Sequence, residues 1–231
     1  MRSTTFHMEQ IPSFHVEHKP EPMKRYFITG TDTGVGKTFV TCTFAHRARE
    51  IGRRVMAFKP IETGVNGTLG EDQHALVEAA GGWQHSAARG LYQFAQPAAP
   101  LVAARAESRT IDVDAIKRVV SSAAGLDLLL VEGAGGLRVP VTETVDMAGL
   151  ARALDLPLIV VARAGLGTIN HSLLTIEAAE REGLRVAALV LSLRPDEDRD
   201  FAASNAFEIR RRWPSTVLVF DGSGPSLDML L

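Results

Sequence analysis

From Met23 onward, short runs rich in Val, Ile and Leu alternate with longer stretches in which apolar residues recur at helical spacing. The pattern predicts strands over Arg25–Thr29, Arg54–Lys59, Leu126–Glu132, Leu158–Ala162, Arg185–Leu191 and Thr216–Phe220. Helices are predicted between them, over 37–51, 71–80, 112–123, 144–154, 168–182 and 197–211. Alternation of this kind implies an α/β fold with a mostly parallel central sheet and helices on both faces. The runs "DLLLVEG" and "LPLIVVA" are apolar almost without interruption, as central strands covered on both faces are. Open sheets bind ligands beyond the carboxyl ends of their strands. Chemistry is therefore expected in "GTDTGVGKT", "KPIETG", "EGAGG" and "ARAGLGTINH".

Composition narrows the classes of partner. The chain has 231 residues, 45% of them hydrophobic, enough for one domain with a sizeable core, read here as residues 23–231. A net charge of −2 gives no basic field of the kind that nucleic acid or an anionic membrane selects, so small molecules are the expected partners. Cys42, the single cysteine, makes no internal disulfide, which points to a reducing, cytoplasmic compartment. The longest apolar runs fall well short of the roughly 20 residues that cross a bilayer. Residues 1–22 contain three prolines and three histidines and lack the apolar core of a signal peptide, so they read as a poorly ordered extension. Within it, His7, His15 and His18 read as solvated rather than metal-binding.

"YFITGTDTGVGKTFV" carries the strongest chemical signal. Counted back from Gly36-Lys37-Thr38, the strict phosphate-loop pattern places glycine at 31, where this chain has Thr31 preceded by Gly30. The segment nonetheless follows an apolar strand and opens a helix. Its backbone N–H groups over Asp32, Thr33, Gly34, Val35 and Gly36 can cradle phosphate, with Lys37 reaching the outer phosphates and Thr38 a magnesium ion. Glu132, after four apolar residues, is placed as an acidic partner for that metal. Asp72, at the start of a predicted helix, reads either as a second magnesium carboxylate or as a favourable charge at a helix N-terminus. Lys59 ends its strand at the sheet mouth, where it serves an anion or is simply a surface lysine. In "AGLGTINH", Thr168 can cap a helix whose first N–H groups face a carboxylate, or cap an ordinary helix.

Taken together and in order, "TGTDTGVGKT", "KPIETG", "YQFAQPAAP", "VEGAGG" and "LGTINHSLLT" resemble the dethiobiotin synthetases, P-loop enzymes of biotin synthesis, over Met23 to about Val190. The displaced glycine is that family's form of the loop. The resemblance implies ATP-driven ring closure of 7,8-diaminopelargonate with carbon dioxide: one amine becomes a carbamate, the carbamate takes the γ-phosphoryl group, and the second amine closes the cyclic urea. By position, Lys37, Thr38, Asp72 and Glu132 match the family's phosphate and magnesium residues, and Thr33, Lys59 and Thr63 match positions near the diamine and carbamate. The resemblance also implies a homodimer in which the substrate carboxylate reaches the neighbouring subunit, at Leu166, Gly167, Thr168 and Asn170.

Departures concentrate where the nucleotide base would lie. Ser192 stands where many family members have an adenine-reading asparagine, the C-terminus runs "LVFDGSGPSLDMLL", and Gly34 replaces a loop glutamate. These changes raise permissive use of several nucleoside triphosphates as an expectation. Related switch ATPases carry a signature lysine where this chain has Asp32, and the C-terminus shows no basic amphipathic helix for a membrane. Amidating relatives need a glutamine-hydrolysing domain, for which this chain has no room. A binding module without synthase activity is the remaining alternative, against which Lys37, Thr38, Lys59 and Glu132 weigh.

Overall fold

A computed structural model describes residues 23–231. The expectations for residues 1–22, including His7, His15 and His18, lie outside the described residues. Six parallel strands form the main sheet: β1 (Lys24–Gly30), β2 (Val55–Phe58), β5 (Leu128–Gly136), β6 (Leu158–Arg163), β7 (Val186–Ser192) and β8 (Val217–Phe220), in the spatial order β2-β5-β1-β6-β7-β8. A separate parallel pair joins β3 (Ile61–Thr63) to β4 (Tyr92–Phe94). The helices are α1 (Lys37–Glu50), α2 (Glu71–Ala79), α3 (Pro100–Ala106), α4 (Val113–Ser121), α5 (Met147–Ala153), α6 (Thr168–Arg181) and α7 (Arg199–Arg212), with a 3₁₀ turn over Gly224–Leu230 at the end.

Period-two alternation along each central strand feeds two cores. Phe27, Leu129, Val131, Leu158 and Val160 pack on one face with side chains of α3 to α7. Tyr26, Ile28, Leu128, Leu130, Ile159 and Val161 pack on the other with α1, α2 and the terminal turn. Both faces are covered, which is why the strand sequences are apolar at consecutive positions. Among the described residues, no helix is long and apolar enough to cross a membrane.

Three differences from the sequence reading bear on function. The glycine-rich "EGAGG" is not a loop after the strand: β5 continues through it to Gly136, which pairs with Gly30. Glycine is required there because a Cβ at 133 would lie 2.9 Å from the Phe27 ring. The pair β3–β4 and helix α3 add to the predicted elements. Three-residue strands are too short to show a period, and α3 is a seven-residue helix begun by Pro100. Predicted helix starts at 112, 144 and 197 move inward because Asp112, Asp146 and Asp198 stand just outside as N-caps, their side chains accepting backbone N–H groups.

Candidate functional site

β1 delivers the glycine-rich loop to the carboxyl edge of the sheet, and α1 begins there. Gly36 is the N-cap in the left-handed region at φ 97°, no side chain caps the helix, and its first turn carries no acid, so the positive end faces outward. The loop folds back over Gly30 so closely that a Cβ there would fall 2.6 Å from the Asp32 carbonyl oxygen and 2.9 Å from Val35. This is the steric reason for glycine at 30 rather than 31. Asp32 turns its carboxylate onto the loop itself, accepting the Thr33 N–H at 2.7 Å, and Val35 is buried, leaving only its main chain to the site.

Strand register brings the charged groups together. Phe58 pairs with Val131 and Ile28 with Glu132, so Lys59 and Glu132 emerge side by side next to the loop. The Lys59 ammonium donates to Glu132 Oε1 at 2.9 Å and is ion-paired with Asp72. Thr38 Oγ1 donates to the same Glu132 oxygen at 2.9 Å. Glu132 is fully buried, and its second oxygen, Oε2, has no hydrogen-bond partner. An orphaned buried carboxylate oxygen beside a threonine hydroxyl and Asp72 suits a hard divalent cation that keeps water and phosphate ligands. Among the described residues no group of three or more His, Cys, Asp or Glu side chains is placed to hold a metal ion, and this site offers two carboxylates and one hydroxyl.

Burial lowers the Lys37 pKa, and the neighbouring Lys59 charge adds to this against Glu132 and Asp72. Its ammonium donates to the Asp32 carbonyl at 3.2 Å. Burial also opposes the charge on Lys59, but Glu132 and Asp72 outweigh it and hold its pKa above the ordinary lysine value. Thr33, Gly34, Gly36, Lys37, Thr38, Lys59, Thr63 and Asp72 line one cleft of about 770 Å³, whose lining also includes Glu62, Pro97 to Pro100 and Val139.

A family profile described as an AAA domain matches residues 24–220. The chain is 47% identical over 193 residues to the ATP-dependent dethiobiotin synthetase BioD of Anaeromyxobacter dehalogenans (strain 2CP-C), covering 82% of this chain and 85% of that one. The chain belongs to the dethiobiotin synthetase family. Other dethiobiotin synthetases similar to it come from Aromatoleum aromaticum, 38% identical with 84% and 88% of the two chains covered, and Bacillus licheniformis, 39% identical with 76% and 77% covered. In fold alone, the chain is similar to chloroplast FtsY from Physcomitrella patens, with a TM-score of 0.51 at 17% identity, covering 91% of this chain and 65% of that one. The fold is the P-loop NTPase fold.

Not all the residues expected from the dethiobiotin synthetase resemblance meet in this cleft. Leu166, Gly167, Thr168 and Asn170 follow β6 and line no part of it; Leu166 is 95% exposed. Thr168 does not cap α6. Gly167, at φ 90°, takes the N-cap, while Thr168 is buried with its hydroxyl 3.3 Å from that of Ser172. Ser192 is also buried, beneath the loop, where a Cβ at Gly36 would lie 2.6 Å from its hydroxyl oxygen. Sequence reasoning missed Glu62 and Gln73, both buried behind Asp72. The polar residues in "KPIETG" and "EDQHAL" hint at them, but only the contact between the two segments gives them meaning.

Proposed function

We propose that the chain is an ATP-dependent dethiobiotin synthetase, closing 7,8-diaminopelargonate and carbon dioxide into dethiobiotin with release of ADP and phosphate. The observation that carries this reading is the convergence of Lys37, Lys59, Thr38 and Asp72 in one cleft beside a loop of the family's form, with the buried Glu132 beneath them holding Thr38 and Lys59. The N–H groups of residues 32 to 38 and the open end of α1 bind the phosphates, and Lys37 lies against the transferring phosphoryl group. Thr38, Asp72 and Glu132 are the residues that would hold magnesium, which supplies charge neutralisation for the polyphosphate when bound.

The amine that attacks carbon dioxide must be neutral. Lys59, kept protonated by its carboxylate partners, presents a fixed cation beside it and disfavours the substrate ammonium. The same charge stabilises the carbamate anion once it forms and the charge that develops as its oxygen takes the phosphoryl group. Thr33 and Thr63 offer hydroxyls at the cleft wall to orient the diamine, and the Pro97 to Pro100 segment shields its apolar chain from water.

The homodimer belongs to this proposal. Leu166 and, on α6, Leu174 are exposed apolar side chains on either side of Asn170 in the chain, suited to a second copy whose bound substrate carboxylate Asn170 and the main chain at the start of α6 would receive. Purified protein incubated with diaminopelargonate, bicarbonate, magnesium and separately ATP, GTP or CTP is expected to form dethiobiotin, detected by mass. Turnover with several nucleotides is expected, since Ser192 is packed under the loop; strong ATP preference refutes that part. No product with any nucleotide refutes the enzyme assignment.

A further inference from the structure

Glu62, the middle residue of β3 within "KPIETG", lines the cleft, and both of its carboxylate oxygens are engaged by the start of α2. Oε1 accepts the backbone N–H of Asp72 at 3.1 Å and Oε2 that of Gln73 at 2.8 Å. These are first-turn N–H groups of α2, whose N-cap, Gly70, has no side chain to satisfy them. A Cβ at Gly70 would collide with the Glu62 carboxyl group. Glu62 thus does from another strand what a capping side chain does locally, with a full negative charge at the helix's positive end.

Gln73 extends the junction. Fully buried, it accepts the Gly70 N–H at 3.2 Å and donates to the Lys59 carbonyl at 3.1 Å and the Tyr92 carbonyl at 3.3 Å. Asp72 is therefore tied by its main chain to Glu62, and Lys59 by its carbonyl to Gln73, before their side chains meet over Glu132. We propose that Glu62 is a positioning residue, which sets how far the Asp72 carboxylate reaches toward Glu132 and Thr38 and thereby the affinity of the cleft for a divalent cation. The proposal deepens the functional reading above and rests on it only for the identity of the reaction.

The test uses full-length protein carrying Glu62→Ala, Glu62→Gln or Gly70→Ala. Mn²⁺ binding in the presence of ADP, ADP binding without metal, and amide exchange over 71–79 are measured on each. Glu62→Ala is expected to weaken Mn²⁺ binding about tenfold or more, the scale of lost outer contacts to metal ligands, with metal-free ADP binding within about twofold of native. Glu62→Gln keeps one acceptor oxygen and is expected to fall between native and Glu62→Ala. Gly70→Ala, which displaces the carboxyl group while leaving Glu62 in place, is expected to weaken Mn²⁺ binding likewise, and it reports even where Glu62→Ala does not fold. Native Mn²⁺ affinity in folded Glu62→Gln and Gly70→Ala, with exchange at 72–73 accelerated, overturns the proposal and leaves Glu62 a helix cap only. A native chain that makes no dethiobiotin refutes the proposed function without affecting this measurement.

Discussion

Lys59 is held between opposed influences: burial disfavours its charge, while Glu132 and Asp72 bind it from two sides. Replacing it with glutamine keeps bulk and hydrogen bonding but removes the cation. Lys59→Gln is expected to lower turnover about a hundredfold or more, the scale of a lost electrostatic stabiliser, with nucleotide affinity changed about threefold at most. Near-normal kcat in a nucleotide-saturated assay would show that Lys59 does not serve the reacting groups. Cys42, on α1 behind the loop, has no such role. Burial, reinforced by Glu132 and Asp72, pushes its thiol pKa up to about 12. The thiolate fraction at pH 8 is then on the order of 10⁻⁴, so alkylation of the native protein should be slow and that of denatured protein rapid. Quick native labelling would contradict that environment.

Helix starts are decided by side chains just outside the apolar pattern. Asp146 accepts the Gly149 N–H at 2.8 Å and is paired with Arg138 at 3.1 Å, so it both begins α5 and holds the segment that carries Val139 to the cleft wall. Asp146→Ala is expected to cost about 1 kcal/mol, measured as a lower urea midpoint with unchanged slope. An unchanged midpoint would mean that water serves the exposed N–H groups equally well. The periodicity that reveals α5 cannot place this boundary, because capping depends on one residue rather than on a repeat. The same limit hides β3, β4 and α3, which are held by the contact of "KPIETG" with "YQFAQPAAP" rather than by their own pattern.

Ion pairs at the surface tie outer elements to one another and brace α7 along its own length. Arg47 on α1 grips Asp228 of the terminal turn, Arg138 and Arg152 hold Glu182 at the end of α6, and Arg212 holds Glu208. Each of these carboxylates is kept below its ordinary pKa, chiefly by the hydrogen bonds from these arginines. A folded pKa below the unfolded one adds stability that is present above the unfolded value, about pH 4 to 4.5, and lost as pH falls through the folded value. The melting temperature should therefore fall with acidification below about pH 4.5, with less loss at high salt because the pairs are exposed. A flat profile from pH 6 to 3 would remove these pairs from any account of stability. What the sequence determined by itself was local or periodic: a parallel α/β sheet from alternating runs, and a phosphate loop from glycines, Lys37 and Thr38 adjacent in the chain. What only the tertiary structure decided was convergence. Lys59 meets Glu132 because β2 and β5 pair in one register, Gly30 is required because the loop returns over it, and Glu62 reaches α2 across an intervening loop. Lys59 and Glu132 are 73 residues apart, while the contacts at Gly30 and Glu62 are nearer in the chain but depend on how a loop folds back; neither kind leaves a periodic signal, and their energy comes from strand pairing and burial.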